Sequence, residues 1–575
     1  MNFTDCTAIV GAEDVPSRRT VRSGDGPGDR RGSSLPIAAV SGSDLAECCR
    51  AMAAVSAAVQ GSDSASYDQA LFASQLDPKR RPFRVAIVAE HAAQLRQKQE
   101  LLSSVLAAGQ DLAGLAASGI FAARVQPADR VAVLFPGVGA HDPDLLRGAA
   151  RAFPAVREAL DAARVAYRTL KDAAGDEDGS VPAVLEDDPH CAVFAADLAV
   201  LRWLQQYGLR VDAVMGQDVG ELAALVAAGV LDLEDGLRAA RESARALASG
   251  GTDAPGRMLA LACGVDRAQE LLQGVPGYAA VASDTSPGSC TVSGDEVAVT
   301  ELLTRAARAD VEARLLSTPG PLHCRLLAGS RPAFAAMLES LRFRHPKLAL
   351  VSTLSGTWAD RQPLYRIREQ VSGIWCLPVR LRQAVMALYT SRVRTFVECG
   401  PGRQLSACVD AVAAGHHHVA QPALLQGVGE VEQLSRTLAC LFTVGACELQ
   451  PPASQPRRFA PEVTDGDQAP SGEDDAQLAA VLESLHSLIE LVLPEEPEVA
   501  GDDLQTGTGA ELPPQRGPRE AALEMLLQRA ELRLLADLAR PGAGSPSDHV
   551  GSAPGLRGSA GSGREDAVRP GDPEP

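Results

Sequence analysis

VDAVMGQDVGELAALVAAG (residues 211–229) is the stretch on which the reading of this chain turns. Val211 to Met215 make a short apolar run with the composition of a buried strand. Gly216-Gln217-Asp218-Val219-Gly220 follows at once, and an alanine- and leucine-rich helix opens directly behind it. A strand, a G-x-D-x-G turn and a helix in immediate succession form a sharp elbow, whose central side chain stands at the carboxyl edge of a sheet. The helix N-terminus and the Val219 N–H then face the place where negative charge would develop on a reacting oxygen. The spacing alone is a weak signal; the strand before it and the long helix after it strengthen it. Glu221 reads as a first-turn acid that stabilises the helix N-terminus.

Upstream, RVAVLFPGVG (130–139) reads as a buried strand ending in Pro-Gly-x-Gly, which delivers backbone N–H groups such as that of Val138 into a pocket. Downstream, LLSTPGPLHCR (315–325) places His323 after a proline–glycine loop, and RTFVECGPGRQLSACV (394–409) reads as strand, Gly-Pro-Gly turn and helix. From Arg81 to about Leu449, strands and amphipathic helices alternate with short loops, the pattern of an α/β domain with a largely parallel sheet. Residues 256–320 break that rhythm: RMLALACG, AAVASD and SCTVSGD are short strands around two helices, which suits a small inserted α+β subdomain.

The remaining organisation is coarser. Residues 1–42 are expected to be disordered, with the polar Gly-, Arg- and Ser-rich start carrying that reading. A helical or linker subdomain is expected over 43–128, beginning with a helix capped by Ser43 or Asp44. The α/β domain is placed at 129–450, a linker at 451–475, an amphipathic helical pair at 476–540 and a disordered tail at 541–575. The two late helices are too apolar to stay unpaired in water. They pack on themselves or the main domain, or they dock a partner or a second copy.

Acidic residues outnumber basic ones, 73 to 54, and much of the excess lies in the C-terminal third. That composition argues against nucleic acid or an anionic membrane as partner. No apolar run reaches bilayer length, and MNFTDCTAIVGAED lacks the basic start and apolar stretch of a signal peptide, so a cytoplasmic location is expected. The cysteines show no zinc spacing. His416, His417 and His418 read as an exposed loop or, less simply, a metal-binding run. Cys324 reads as packing or as a reactive thiol beside His323. Trp203 and Trp375 read as framework. No metal or cofactor is expected.

The order and spacing of these four segments resemble the acyltransferase domain of polyketide synthases and malonyl-CoA:acyl-carrier-protein transacylases. RPFRVAIVAE (81–90) and SGIFAARVQPADRVAVLFPG (118–137) resemble most closely the acyltransferases of polyunsaturated-fatty-acid and enediyne-type iterative synthases. The resemblance covers roughly residues 80–450. It implies an α/β-hydrolase-like large subdomain with a ferredoxin-like insert, a coenzyme A thioester as substrate, and an acyl carrier protein or synthase subunits as partners.

The resemblance also implies site residues, and most of them have changed. The family's elbow is G-H-S-x-G; here the Ser position is Asp218 and the His before it is Gln217. His323 matches the family's catalytic His. The arginine that pairs with a malonyl carboxylate lies twenty-five residues past the Ser, a position held here by Ser243. In the first motif Val138 and His141 stand for two Gln, and the N-S-P-x-Q segment reads Thr285-Ser286-Pro287-Gly288-Ser289. The catalytic candidates are therefore Asp218 and His323; Val138 and Val219 are the oxyanion candidates. Gln217, Ser243, Thr285 and Ser289 are the substrate-binding candidates. An Asp218–His323 ion pair would occupy the imidazole and remove it as a base. Three activities remain in view: a non-catalytic scaffold or carrier-docking component, an altered acyltransferase or thioester hydrolase, and an elbow Asp attacking a carbon electrophile.

Overall fold

The computed structural model describes residues 35–449 apart from 76–80, 111, 141–143, 174–183, 251–255 and 426. His141, the two late amphipathic helices, the linker and the tail lie outside the described residues.

The chain begins with β1 (Ile37–Gly42), α1 (Leu45–Ala58), α2 (Ser64–Gln75), β2 (Phe83–Val88), α3 (Ala92–Ala107) and β3 (Ile120–Arg124). The strands form an antiparallel sheet in the order β1-β2-β3. Two expectations are corrected here. Residues 37–42 are a strand and not part of a disordered terminus, and 43–128 is built around a sheet and is not merely helical or linker. β1 is ordered by pairing with β2, a partner some forty residues away that the composition of the terminus cannot reveal. Its apolar residues alternate in their use. Ala38, Val40, Val85 and Ile87 pack against Cys48, Met52, Leu71 and Leu95 of α1–α3, whereas Ile37, Ala39, Ala86 and Val88 join the core of the main body. The free edge of β1 is covered by side chains: Ser74 Oγ accepts from Ala39 N, and Gln75 Nε2 donates to the carbonyls of Leu35 and Ile37. Asp44 caps α1 by accepting from Glu47 N at 2.7 Å.

The main body follows with β4 (Arg130–Phe135), α4 (Arg147–Ala152), α5 (Pro154–Ala173), α6 (Pro189–Gln206), β5 (Ala213–Gly216), α7 (Val219–Ala227) and α8 (Leu233–Ser249). An insert then runs through β6 (Gly256–Leu261), α9 (Val265–Leu272), β7 (Ala279–Ser286), β8 (Ser289–Asp295), α10 (Glu296–Arg308) and β9 (Ala313–Leu316). The body resumes with α11 (Arg331–Glu339), β10 (Ala349–Ser352), β11 (Thr357–Trp358), α12 (Leu364–Ser372) and α13 (Leu381–Thr390). It closes with β12 (Val393–Pro401), α14 (Gln404–Val412), β13 (Val419–Leu424) and α15 (Glu430–Thr443).

The body's sheet has the order β11-β10-β5-β4-β12-β13, parallel throughout except for the two-residue edge strand β11. Both faces are covered, as a parallel sheet requires. Val131, Val133, Phe135 and Val214 face a large core containing Phe194, Trp203 and Leu222 of α6 and α7. Ala132, Leu134, Met215 and Phe396 face Leu381, Val385, Leu405 and Val409 of α13 and α14.

The insert occupies the span in which the sequence breaks rhythm. Its βαββαβ chain folds into an antiparallel sheet of order β7-β8-β6-β9. Leu259, Leu261, Cys290 and Val292 on one face pack against Leu271 and Leu302 of α9 and α10. Met258 and Ala282 on the opposite face join the body's core. β7 is stitched to the body: Asp284 N donates to Val379 O at 2.9 Å, and Val379 N donates to Ala282 O at 2.8 Å. The Asp284 carboxylate grips Arg382 of α13 at 2.8–3.0 Å. At the other margin β9 pairs only with β6.

Candidate functional site

The elbow is as sharp as its glycines allow. A Cβ on Gly216 would overlap the Gly220 carbonyl, and one on Gly220 would overlap the carbonyl of Phe135 at the end of β4. Strand, turn and helix are thus pressed together at positions that only glycine fills. Asp218, at the apex, has φ 53° and ψ −126°, a conformation that costs a non-glycine residue on the order of 1–3 kcal/mol. His323 is also held at positive φ, 60°. Such backbone is over-determined by its surroundings and concentrates at functional sites.

These two residues meet. His323 Nε2 lies 3.1 Å from Asp218 Oδ1, with both side chains largely shielded from solvent. The contact is an ion-pair approach without hydrogen-bond alignment: Asp218 Oδ1 and His323 Nδ1 both lack a hydrogen-bond partner. The Asp218 side chain lies directly over Gly137, where a Cβ would stand 2.5 Å from Oδ2. Val138 opens the short 3-10 turn after Gly137, and Val219 is the first residue of α7. Val219 thus follows Asp218 in the chain, and Val138 follows Gly137, the residue that the Asp218 side chain overlies. Gln217 is buried, its N–H donating to Phe135 O at 3.0 Å and its Oε1 without a partner.

Behind His323 stands a packed wall. His323 N donates to the Trp375 carbonyl at 2.7 Å, and the two rings are 6.4 Å apart. Trp375 Nε1 donates to Ser243 O at 2.9 Å, and its ring lies 5.2 Å from that of His190. Ser243 is fully buried; its hydroxyl donates to Ala240 O at 2.7 Å, so His190 Nδ1, 3.3 Å from Ser243 Oγ, carries the donated proton of that contact. His190, the second residue of α6, was not singled out from sequence. An Asp-Pro helix start is its only local signal, and its partners come from α8 and the segment before α13. Trp375 is framework, but framework that carries the imidazole's backbone.

The neighbouring arginines do not replace a guanidinium at Ser243. Arg241 Nη1 donates to Leu170 O, and Arg245 pairs with Glu242. Thr285 and Ser289 make no hydrogen bond to the Asp218–His323 pair; Thr285 O instead accepts from Cys408 Sγ of α14. Cys324 packs: its thiol is buried, donates to Pro321 O, and is pushed up by burial. Glu221 is a first-turn acid of α7, and a buried one. It is fully shielded, and its Oε1 accepts from Ser352 Oγ, Thr353 N and Thr353 Oγ1 at 2.6–3.1 Å, while burial pushes its pKa up to about 7. His418 is held between Asp410 Oδ1 and His416 O. Among the described residues no group of three His, Cys, Asp or Glu side chains is placed to hold a metal ion, and no helix is long and apolar enough to cross a membrane.

The family model described as the acyl transferase domain matches residues 178–436, which includes the elbow, the insert, His323 and the Gly-Pro-Gly turn. The chain carries an acyltransferase domain of the polyketide-synthase type. A solved acyltransferase domain, that of an iterative polyketide synthase in enediyne biosynthesis, is 28% identical with a TM-score of 0.54, over 72% of this chain and 96% of that one. The acyltransferase domain from the second module of the salinomycin polyketide synthase is 26% identical with a TM-score of 0.53, over 72% of this chain and 94% of that one. Erythronolide synthase EryA3 of Saccharopolyspora erythraea is 31% identical over 59% of this chain. The phenolphthiocerol synthesis polyketide synthase Pks15/1 of Mycobacterium marinum is 28% identical over 64% of it. The chain spans only 10% and 18% of the lengths of those two synthases, so the likeness is that of one acyltransferase domain within them.

Proposed function

We propose that this acyltransferase domain has lost acyl transfer and serves as a scaffold or carrier-docking component of a fatty-acid or polyketide assembly. The observation that supports it is the Asp218–His323 contact at the apex of the elbow. A carboxylate attacking a thioester would form a mixed anhydride, an uphill product that water destroys. It also sets negative charge beside the position where the carbonyl oxygen becomes anionic, opposing the oxyanion donors. Loss of the nucleophile in a comparable Ser–His enzyme costs on the order of 10⁶ in kcat. In this reading the parallel body is the hydrolase-like subdomain and the βαββαβ insert the ferredoxin-like one, with the substrate cleft between them. The protein works in the cytoplasm beside an acyl carrier protein.

A second reading rests on the same contact. The Asp218 carboxylate, with His323 beside it, can take a proton from water; the water oxygen attacks the thioester carbonyl, the C–S bond breaks, and the thiolate leaves with that proton. That would make the domain a thioester hydrolase.

Incubation with radiolabelled malonyl-CoA followed by acid quenching tests the first reading. No protein-bound label is expected, and a stable covalent label would overturn it. Thioester hydrolysis that disappears in His323→Ala would establish the second. Asp218→Ser restores a hydroxyl at the apex, yet little or no malonyl loading is expected even then, because Ser243 is sealed under His190 and Trp375 and offers no guanidinium. Robust malonyl loading of Asp218→Ser would refute that argument.

A further inference from the structure

We propose that Cys263 and Cys290 of the insert are a redox site, two thiols that a small-molecule disulfide converts into a reversible bridge. Leu261 of β6 and Cys290 of β8 are direct partners at the last rung of their ladder. Cys263 follows two residues later, so its side chain continues the face that carries Leu259 and Leu261. Cys290 lies on that same face, packed with Leu271 and Leu302 of α9 and α10. This is the face turned away from the body, so the pair is separate from the Asp218–His323 contact and holds whichever activity that contact supports.

Diagonal neighbours on paired strands stand about 7–8 Å apart at Cα, slightly beyond the span of a disulfide. Here the chain closes that gap. Beyond Leu261 it leaves the strand and turns in over the β7–β8 turn, so that a Cβ on Gly264 would stand 2.6 Å from the Pro287 carbonyl oxygen. The two thiols are thereby brought into hydrogen-bond contact with each other. Cys263 lies between β6 and α9, in neither strand nor helix, where the backbone is free to take up the remaining shift.

The two sulfurs are not alike. Cys263 is half-buried; burial raises its thiol pKa, and the Cys290 contact and Arg267 of α9 work against that rise. Cys290 is fully buried, and burial pushes its thiol up to about 12. Cys263 is therefore the sulfur that meets an oxidant, and Cys290 the one that resolves it. The Cys263 thiolate attacks one sulfur of the small disulfide; a mixed disulfide forms, and one small thiol leaves with the proton that Cys263 gave up. The Cys290 sulfur then attacks the Cys263 sulfur; the protein S–S bond forms, and the second small thiol departs with the Cys290 proton. Two protein thiols are oxidised, and one small disulfide is reduced to two thiols. Because Cys290 follows Ser289 directly and Cys263 precedes α9, the bridge pins the β7–β8 turn to the start of that helix.

The test is incubation of the full chain with oxidised glutathione at mildly alkaline pH, removal of the reagent, and peptide mapping by mass spectrometry without reduction. The peptides holding Cys263 and Cys290 should appear joined, lighter by the mass of two hydrogens, and dithiothreitol should separate them. The bridged protein should melt about 4 °C higher than the reduced one. Cys290→Ala should stop at the mixed disulfide, with glutathione retained on Cys263. Cys263→Ser, a change at a half-buried position outside any strand, should leave Cys290 unmodified and the melting temperature unmoved by the oxidant; it keeps the test decisive if Cys290→Ala folds poorly. Free thiols at both positions in the oxidised wild type, or a bridge from either to another cysteine, overturn the proposal. A bridged protein that melts no higher than the reduced one overturns the pinning of the turn.

Discussion

Asp218 and Glu221 stand three residues apart and carry very different weights. The first was legible from the G-x-D-x-G spacing and its strand-helix setting, and His323 from the order of motifs around it. Glu221 was not, because a first-turn acid and a buried acid look alike in sequence; only the packing of α7 against β10 distinguishes them. Its carboxyl titrates near pH 7, against an ordinary 4.5, with burial as the main cause and its three donors offsetting part of it. A carboxyl raised on folding contributes stability that is whole below about pH 4.5 and is lost as pH climbs toward 7. The loss for this shielded group is roughly 3 kcal/mol at most. Glu221→Gln should therefore flatten the dependence of melting temperature on pH between 4.5 and 7. Parallel wild-type and variant curves would show that the carboxyl does not titrate there. His190 was invisible in sequence because Ser243 and Trp375, against which it packs, lie more than fifty positions away.

At the scale of elements, the elbow is the least tolerant piece of the fold. Gly220→Ala sets a methyl group against the Phe135 carbonyl, and backbone cannot step aside as a flexible side chain would. The expected cost is about 1–3 kcal/mol or more, read as a lower denaturation midpoint with an unchanged slope. An unaffected midpoint would mean that β4 and α7 are less tightly joined than they are drawn. The alternation of strands and helices was readable because each element of the body has a buried face of regular period. β1 escaped because its six residues follow a long polar stretch, and the partner that orders it arrives only with β2. The insert was readable for the opposite reason: three short strands in the middle of long helices interrupt a rhythm already established.

For the whole molecule, the N-terminal sheet is a structural part of the body and not an appendage. Arg84 of β2 donates to Phe442 O at 3.0 Å and stacks 4.7 Å over its ring, while Arg436 of α15 donates to Ala117 O. Deleting residues 1–125 strips α15 of the sheet it packs against and exposes its apolar stripe. The shortened chain should elute as aggregates in size-exclusion chromatography, and a monomeric, cooperatively melting product would refute this dependence. The stitching of the insert along β7 makes the small sheet and the segment before α13 mechanically one piece: whatever shifts Val379 must also pull on Ala282 and Asp284.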